Sequence, residues 1–287
     1  MNSALFTSQN HIGDALNIAP AWLAWWTQQR GSGCEIDLVT LPDHVAPLYS
    51  VMGVSAKVIT AMSREEAMER KQYDFVFTFD VAQAFQIGIR DRVHITQAYA
   101  KMLRVEISSV KPVCLLDDVS YRGDDIEAGC ILVSPFSANC SSRRGKPPNK
   151  MLPFAKWEPI IRYLETFNRP IYVLGSPNDP QIPEFSLPRN RYLLGTHSLL
   201  DLARIMRDRA ALVVTVDNGM SHLAASQELP TFLFYPACLP KEWIVPRGNP
   251  HCSPLQLDPV SCDAAHILRV ARDVVPRLLA ITRSIND

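Results

Sequence analysis

The stretch from Ala211 to Ala237, ALVVTVDNGMSHLAASQELPTFLFYPA, restricts the fold more than any other part of the chain. Its β-branched run, Leu212-Val213-Val214-Thr215-Val216, has the length of a buried strand. Asp217-Asn218-Gly219 breaks that run with turn residues, and Leu223, Ala224 and Ala225 fall at the centre of an expected helix. A second apolar run, Thr231-Phe232-Leu233-Phe234-Tyr235, follows Pro230. Strand, tight turn, helix and strand make one βαβ unit of a parallel sheet. Gly219 lets the backbone approach a ligand, and a helix start offers unpaired N–H groups at the positive end of a dipole. Two readings stand at this turn. It seats a phosphate or pyrophosphate, or Asp217 or Asn218 simply caps the helix.

The rest of the chain alternates in the same way. Ser3–Thr7 reads as a first strand and residues 8–13 as a polar loop. A helix is expected from about Ala15 to Arg30, with Leu16, Ala19, Leu23 and Trp26 on one face and Pro20 kinking it or delaying its start. Strands are expected at Glu35–Leu41, Lys57–Thr60, Tyr73–Asp80 and Val113–Leu116. The acidic segment Asp117–Gly129 reads as a linker with Gly129 as its hinge, dividing the chain into domains 1–128 and 129–287. Cys130–Phe136 opens the second half. Trp157, Ile160, Ile161 and Leu164 form a core stripe at helical spacing. Ser261 is the expected cap of a last amphipathic helix, which Pro276 should break or kink and which could pack back on the first domain. The class is α/β, with parallel sheets, helices on both faces and a cleft expected between the halves.

Charge and cysteine usage narrow the function. Twenty-nine basic residues balance 29 acidic ones, so no global field draws the chain to nucleic acid or anionic lipid. Seven cysteines without a Cys-x-x-Cys pair argue against a disulfide framework or a zinc site and for a reducing cytoplasm. No signal peptide is read at the start, and no apolar run approaches the ~20 residues of a spanning helix.

VDNGMSHLAA followed by LPTFLFYPA resembles the nucleotide-sugar signature of glycosyltransferase family 9, the ADP-heptose:lipopolysaccharide heptosyltransferases. His11-Ile12-Gly13-Asp14-Ala15-Leu16, with Pro20 beyond, is similar to the opening of the same family. KMLPFAKW is similar to its Lys-x-Trp-Pro segment, with Leu152 in place of the Trp. The resemblance implies a GT-B fold: two Rossmann-like domains with parallel sheets facing a central cleft. It implies inverting transfer from a nucleotide-diphosphate sugar to a hydroxyl, with no cofactor and no metal. Asp14 would be the general base, with His11 and Gly13 on the acceptor side. Lys150, Asp217, Asn218, Gly219, Met220, Ser221 and His222 would bind the donor, with Asp179 near its ribose.

The residues themselves leave alternatives. Asp14 can serve as a base or cap the following helix. His11 is an acceptor contact or a solvated loop histidine, and His222 bonds phosphate or packs against Asp217. Asp179 touches the donor or makes a turn. Arg143, Arg144 and Lys146 clamp a diphosphate or decorate a solvated loop. The basic acceptor-side candidates are Arg90, Arg92, Lys101 and Arg104. The acceptor is a lipopolysaccharide core sugar, another glycan or a hydroxylated nucleic-acid base, and the donor base is adenine, uracil or guanine. The expected location is the cytoplasm, free or peripheral at the inner membrane. The competing classes are a non-catalytic nucleotide-binding protein and a nucleotide-sugar epimerase of the same fold.

Overall fold

The computed structural model describes residues 2–8, 11–29, 33–40, 43–60, 62–137, 150–180, 182, 185–237, 241, 245–246, 248–258 and 261–286. The chain divides into two compact units, Met1–Asp117 with Glu242–Gly248, and Asp118–Lys241 with Asn249–Asp287.

The first unit runs β1 (Ser3–Ser8), α1 (Ile12–Gln29), β2 (Glu35–Thr40), α2 (Ala46–Ser50), β3 (Lys57–Ile59), α3 (Arg64–Arg70), β4 (Phe75–Phe79), α4 (Val81–Asp91) and α5 (Ile95–Leu103). Its strands pair in parallel in the order β3-β2-β1-β4. β1 is buried along its whole length, as a strand covered on both faces should be. Phe6 anchors the core, its ring meeting those of Trp22, Trp25 and Phe79.

Four expectations change here. α1 begins at Ile12, not near Ala15: Ala15 N–H donates to the His11 carbonyl, so Gly13 and Asp14 lie inside the first turn. The helix also continues through Pro20, which gives up one intrahelical bond. α1 packs against α5 and, through Trp22 and Trp25, against Phe6 of β1, and that burial outweighs the loss. Its core face is therefore broad and centres on Trp22 and Trp25, while Leu23 and Trp26 are only partly buried. Val113–Leu116 is no strand; it is extended chain pinned by Leu115 N–H to the Val51 carbonyl at 2.6 Å.

The second unit runs β5 (Cys130–Ser134), α6 (Phe154–Glu165), β6 (Ile171–Gly175), β7 (Tyr192–Leu194), α7 (Leu199–Asp208), β8 (Ala210–Val216), α8 (Gly219–Ser226), β9 (Thr231–Pro236), β10 (Cys252–Leu257) and α9 (Ala264–Asn286). The parallel order is β10-β9-β8-β5-β6-β7. The expected stripe of α6 is core: Trp157, Ile160, Ile161 and Leu164 pack with Val214, Phe234, Ile267 and Val275. The C-terminal helix α9 packs on α6, β8 and β9, within its own unit. Its first amides are capped by Asp263, whose Oδ1 accepts from Ala265 N–H, and not by Ser261; the helix runs on through Pro276. β10 escaped sequence reading because Pro254 interrupts it, which an edge position tolerates.

The boundary falls before the expected linker. Tyr121 N–H donates to Asp208, Arg207 to the Val119 carbonyl and Glu127 N–H to the Tyr172 hydroxyl, so residues 118–128 belong to the second unit. Gly129 is an anchored turn. At φ 73° it donates to the Arg209 carbonyl and accepts from Arg169, whose Nη1 lies 2.8 Å from where a Cβ would stand.

In each sheet the strand order reverses once. β1 has β2 and β3 on one side and β4 on the other; β5 has β6 and β7 on one side and β8, β9 and β10 on the other. The crevices outside the carboxyl ends of the β1/β4 and β5/β8 pairs are therefore where ligands are expected in sheets of this kind.

Candidate active site

Asn218 stitches the β5/β8 switch point together. It follows β8 and is the N-cap of α8, with its backbone extended. Its Oδ1 accepts from the amides of Met220 at 2.9 Å and Ser221 at 3.3 Å, and from Thr215 Oγ1 at 3.1 Å. Its Nδ2 donates to Ser134 Oγ at 2.9 Å and the Phe136 carbonyl at 2.7 Å, at the end of β5. The asparagine amide supplies an acceptor to the helix and, from a separate atom, two N–H donors to the neighbouring strand end. Ser221 Oγ closes the turn by donating to the Asn218 carbonyl. Two of the amides expected to face a ligand are thus already engaged by this cap. The Gly219 amide has no partner among the described residues, and Gly219 and Met220 are partly exposed.

Beside the cap lies a charged cluster. Asp217 is 4% exposed and its Oδ2 lies 2.7 Å from Lys150 Nζ, which comes from the segment leading into α6. His222, one turn into α8, is buried beside them. Burial pushes its pKa down to about 4, with Lys150 acting in the same direction and Asp217 opposing. His222 is therefore a neutral ring at pH 7 and not a cation.

A histidine held below its unfolded pKa contributes stability that is present above the unfolded value of about 6.5 and is lost as pH falls toward 4. At ~1.4 kcal/mol per pH unit this comes to about 3 kcal/mol. Urea unfolding at pH 7 and pH 4.5 should show a smaller difference in His222→Gln than in the wild type. Equal differences in the two proteins would mean that His222 does not titrate in that window.

Asp179 serves the corner after β6. Its Oδ2 accepts from Ser176 N–H at 2.6 Å, and Asp179 N–H donates back to the Ser176 carbonyl. Arg143, Arg144 and Lys146 lie outside the described residues.

The β1/β4 switch point holds the other group. Asp14 is partly buried in the first turn of α1, where its charge suits the helix dipole; it does not occupy the cap position. Gly13 is beside it, and His11 is exposed just before the helix. Ser8 ends β1 with its hydroxyl 2.5 Å from the Tyr49 hydroxyl. Burial lifts the Tyr49 pKa to about 12 and carries Tyr99 well above its usual value, and the charge of Asp14 adds to both. Asp80 caps α4 through the Ala82 and Gln83 amides. Arg90 and Lys101 both pair with Asp91, while Arg92 and Arg104 are the left-handed C-caps of α4 and α5.

Sequence reading did not single out Ser134, Phe136, Thr215, Tyr49 or Tyr99. Ser134-Pro135-Phe136 carried a usable signal, since it closes a buried strand opposite the Asp217 turn. Tyr49 and Tyr99 carried none, because helix packing alone brings them there. Among the described residues no group of three or more His, Cys, Asp or Glu could hold a metal ion.

The sequence profile described as "Glycosyltransferase family 9 (heptosyltransferase)" matches residues 40–251. The chain belongs to that family. The match covers Lys150 and the Asp217–His222 turn of this family 9 glycosyltransferase and begins after His11, Gly13 and Asp14. No curated protein matches the chain in sequence. Among solved structures it is similar to E. coli ADP-heptose lps heptosyltransferase II, at 15% identity and TM-score 0.70, over 99% of this chain and 100% of that one. It is also similar to a family 9 glycosyl transferase of Veillonella parvula, at 15% identity and TM-score 0.64 over 97% of each chain. E. coli heptosyltransferase WaaC with ADP follows at 16% identity and TM-score 0.60, over 97% and 99%. The fold is GT-B. Among the described residues no helix is long and apolar enough to cross a membrane.

Proposed function

We propose that this family 9 glycosyltransferase moves a sugar, with inversion, from an ADP-heptose-like donor to a glycan hydroxyl such as that of a lipopolysaccharide core. The observation that carries the reading is the Lys150–Asp217 pair set beside the Asn218-capped start of α8, at the switch point of the second sheet. The structure of WaaC with ADP gives the precedent for an adenine nucleotide.

In the reaction, the acceptor hydroxyl gives its proton to Asp14, and its oxygen bonds to the anomeric carbon from the face opposite the leaving group. The bond from that carbon to the diphosphate breaks, and its electron pair leaves with the diphosphate. The new negative charge is met by Lys150, the Gly219 amide and the positive end of α8, all fixed before the reaction. Asp217 aims Lys150. His222, neutral, contributes hydrogen bonding. Met220 and Ser221 shape the wall, and Asp179 holds the β6 corner near the ribose. His11 and Gly13 lie on the acceptor side. No metal is needed in this scheme, and no cofactor beyond the sugar donor itself.

Calorimetry with ADP, UDP and GDP should show selective binding of ADP, and ADP release from ADP-heptose with heptose-deficient lipopolysaccharide core should proceed undiminished in EDTA. Absence of binding by all three nucleotides would defeat the transferase reading. Loss of turnover in EDTA, restored by a divalent ion, would defeat the metal-free scheme.

A further inference from the structure

Tyr99 is 0% exposed and its hydroxyl has no hydrogen-bond partner among the described residues. A buried hydroxyl left unpaired is unfavourable, and phenylalanine would fill the same space without that penalty. The placement is specific. Thr96, one turn before Tyr99 on α5, donates to Asn17 Oδ1, one turn after Asp14 on α1. The Tyr99 ring stands edge-on to Phe79 at the carboxyl end of β4. The charges that bear on its phenol are those of Asp14 at the start of α1, Tyr49 on α2 and Asp80 at the start of α4, all of which favour its protonated form. His94 caps the same helix α5, its Nδ1 accepting from Thr96 N–H. The ring therefore lies beneath the carboxyl end of β4, beside the β1/β4 switch point, with a donor to spare.

We infer that Tyr99 is a positioning residue for Asp14: in the working enzyme its hydroxyl donates to the Asp14 carboxylate and keeps that group ionised and aimed at the acceptor. This rests on the reading of Asp14 as the base. A donor on a carboxylate favours its charged form, so losing the phenol raises the pH at which the base becomes protonated. Burial and the adjoining carboxylate keep the phenol protonated, hence a donor, through the neutral range.

The test compares Tyr99→Phe with the wild type in ADP release from ADP-heptose with heptose-deficient lipopolysaccharide core. The variant should fold with an unfolding temperature equal to or above that of the wild type. Its kcat should fall about tenfold with the KM for ADP-heptose little changed, and the acidic limb of its kcat–pH profile should move up by about one unit. Asp14→Asn, run in parallel, separates the failures. If Asp14→Asn is inactive while Tyr99→Phe matches the wild type in rate and profile, this inference falls and the base assignment stands. If Asp14→Asn keeps wild-type turnover, or the wild type releases no ADP, the reading beneath it falls as well. A lower unfolding temperature for Tyr99→Phe, with an unmoved profile, would assign the hydroxyl to the fold alone.

Discussion

Asp14→Asn should lower the turnover of ADP-heptose about a thousandfold and leave ADP affinity unchanged. General-base assistance is worth ~100- to 10,000-fold, and a thousandfold corresponds to about 4 kcal/mol of barrier. The structural side of the substitution is small by comparison. Asparagine keeps the shape of the side chain, and removing one charge from the first turn of α1 forfeits ~0.3–1 kcal/mol. An inactive variant that still folds and binds nucleotide therefore reports chemistry and not collapse. A variant that is inactive because it is unfolded, or one that turns over normally, would remove Asp14 from the mechanism. Single-turnover rates together with ADP titrations distinguish these outcomes.

Asn218→Ala should destabilise the second unit by about 4 kcal/mol. Loss of an N-cap accounts for ~1 kcal/mol, here with two amides left without their acceptor. The larger share comes from the other end of the amide. The Phe136 carbonyl and Ser134 Oγ lose their donor where β5 and β8 are buried, and each stranded group adds ~1–3 kcal/mol unless water replaces the bond. Asn218→Asp sharpens the argument. It keeps an acceptor for Met220 and Ser221 but sets a carboxylate oxygen against the Phe136 carbonyl, so it should be no better than alanine. If urea unfolding showed Asn218→Asp to be as stable as the wild type, Asn218 would be only a cap, and its bridge between the strands would have no energetic weight.

The second unit was readable in sequence chiefly because its signals are local. The run into Val216, the break at Asp217-Asn218-Gly219 and the stripe from Trp157 to Leu164 each lie in one short window, and each became the element expected. The misreadings arose where distant contacts decide the outcome. Propensity makes Pro20 a kink or a late start and Pro276 a break or a kink, yet both helices run through them while packed on neighbouring elements. Gly129 was read as a hinge from composition, although Arg169 and Arg209, 40 and 80 residues further on, fix it in place. The site followed the same division. Asp217 to His222 form one contiguous motif at one switch point. Tyr99 comes to the carboxyl end of β4 by helix packing that no local pattern encodes.

Hydrogen exchange followed by mass spectrometry, with and without ADP, locates the diphosphate on the second unit. Slowed exchange is expected in peptides covering residues 134–137, 150–153 and 217–223, and it should weaken in Lys150→Ala. Binding of ADP with protection confined to other segments, or with these three unchanged, would contradict a donor site at the start of α8.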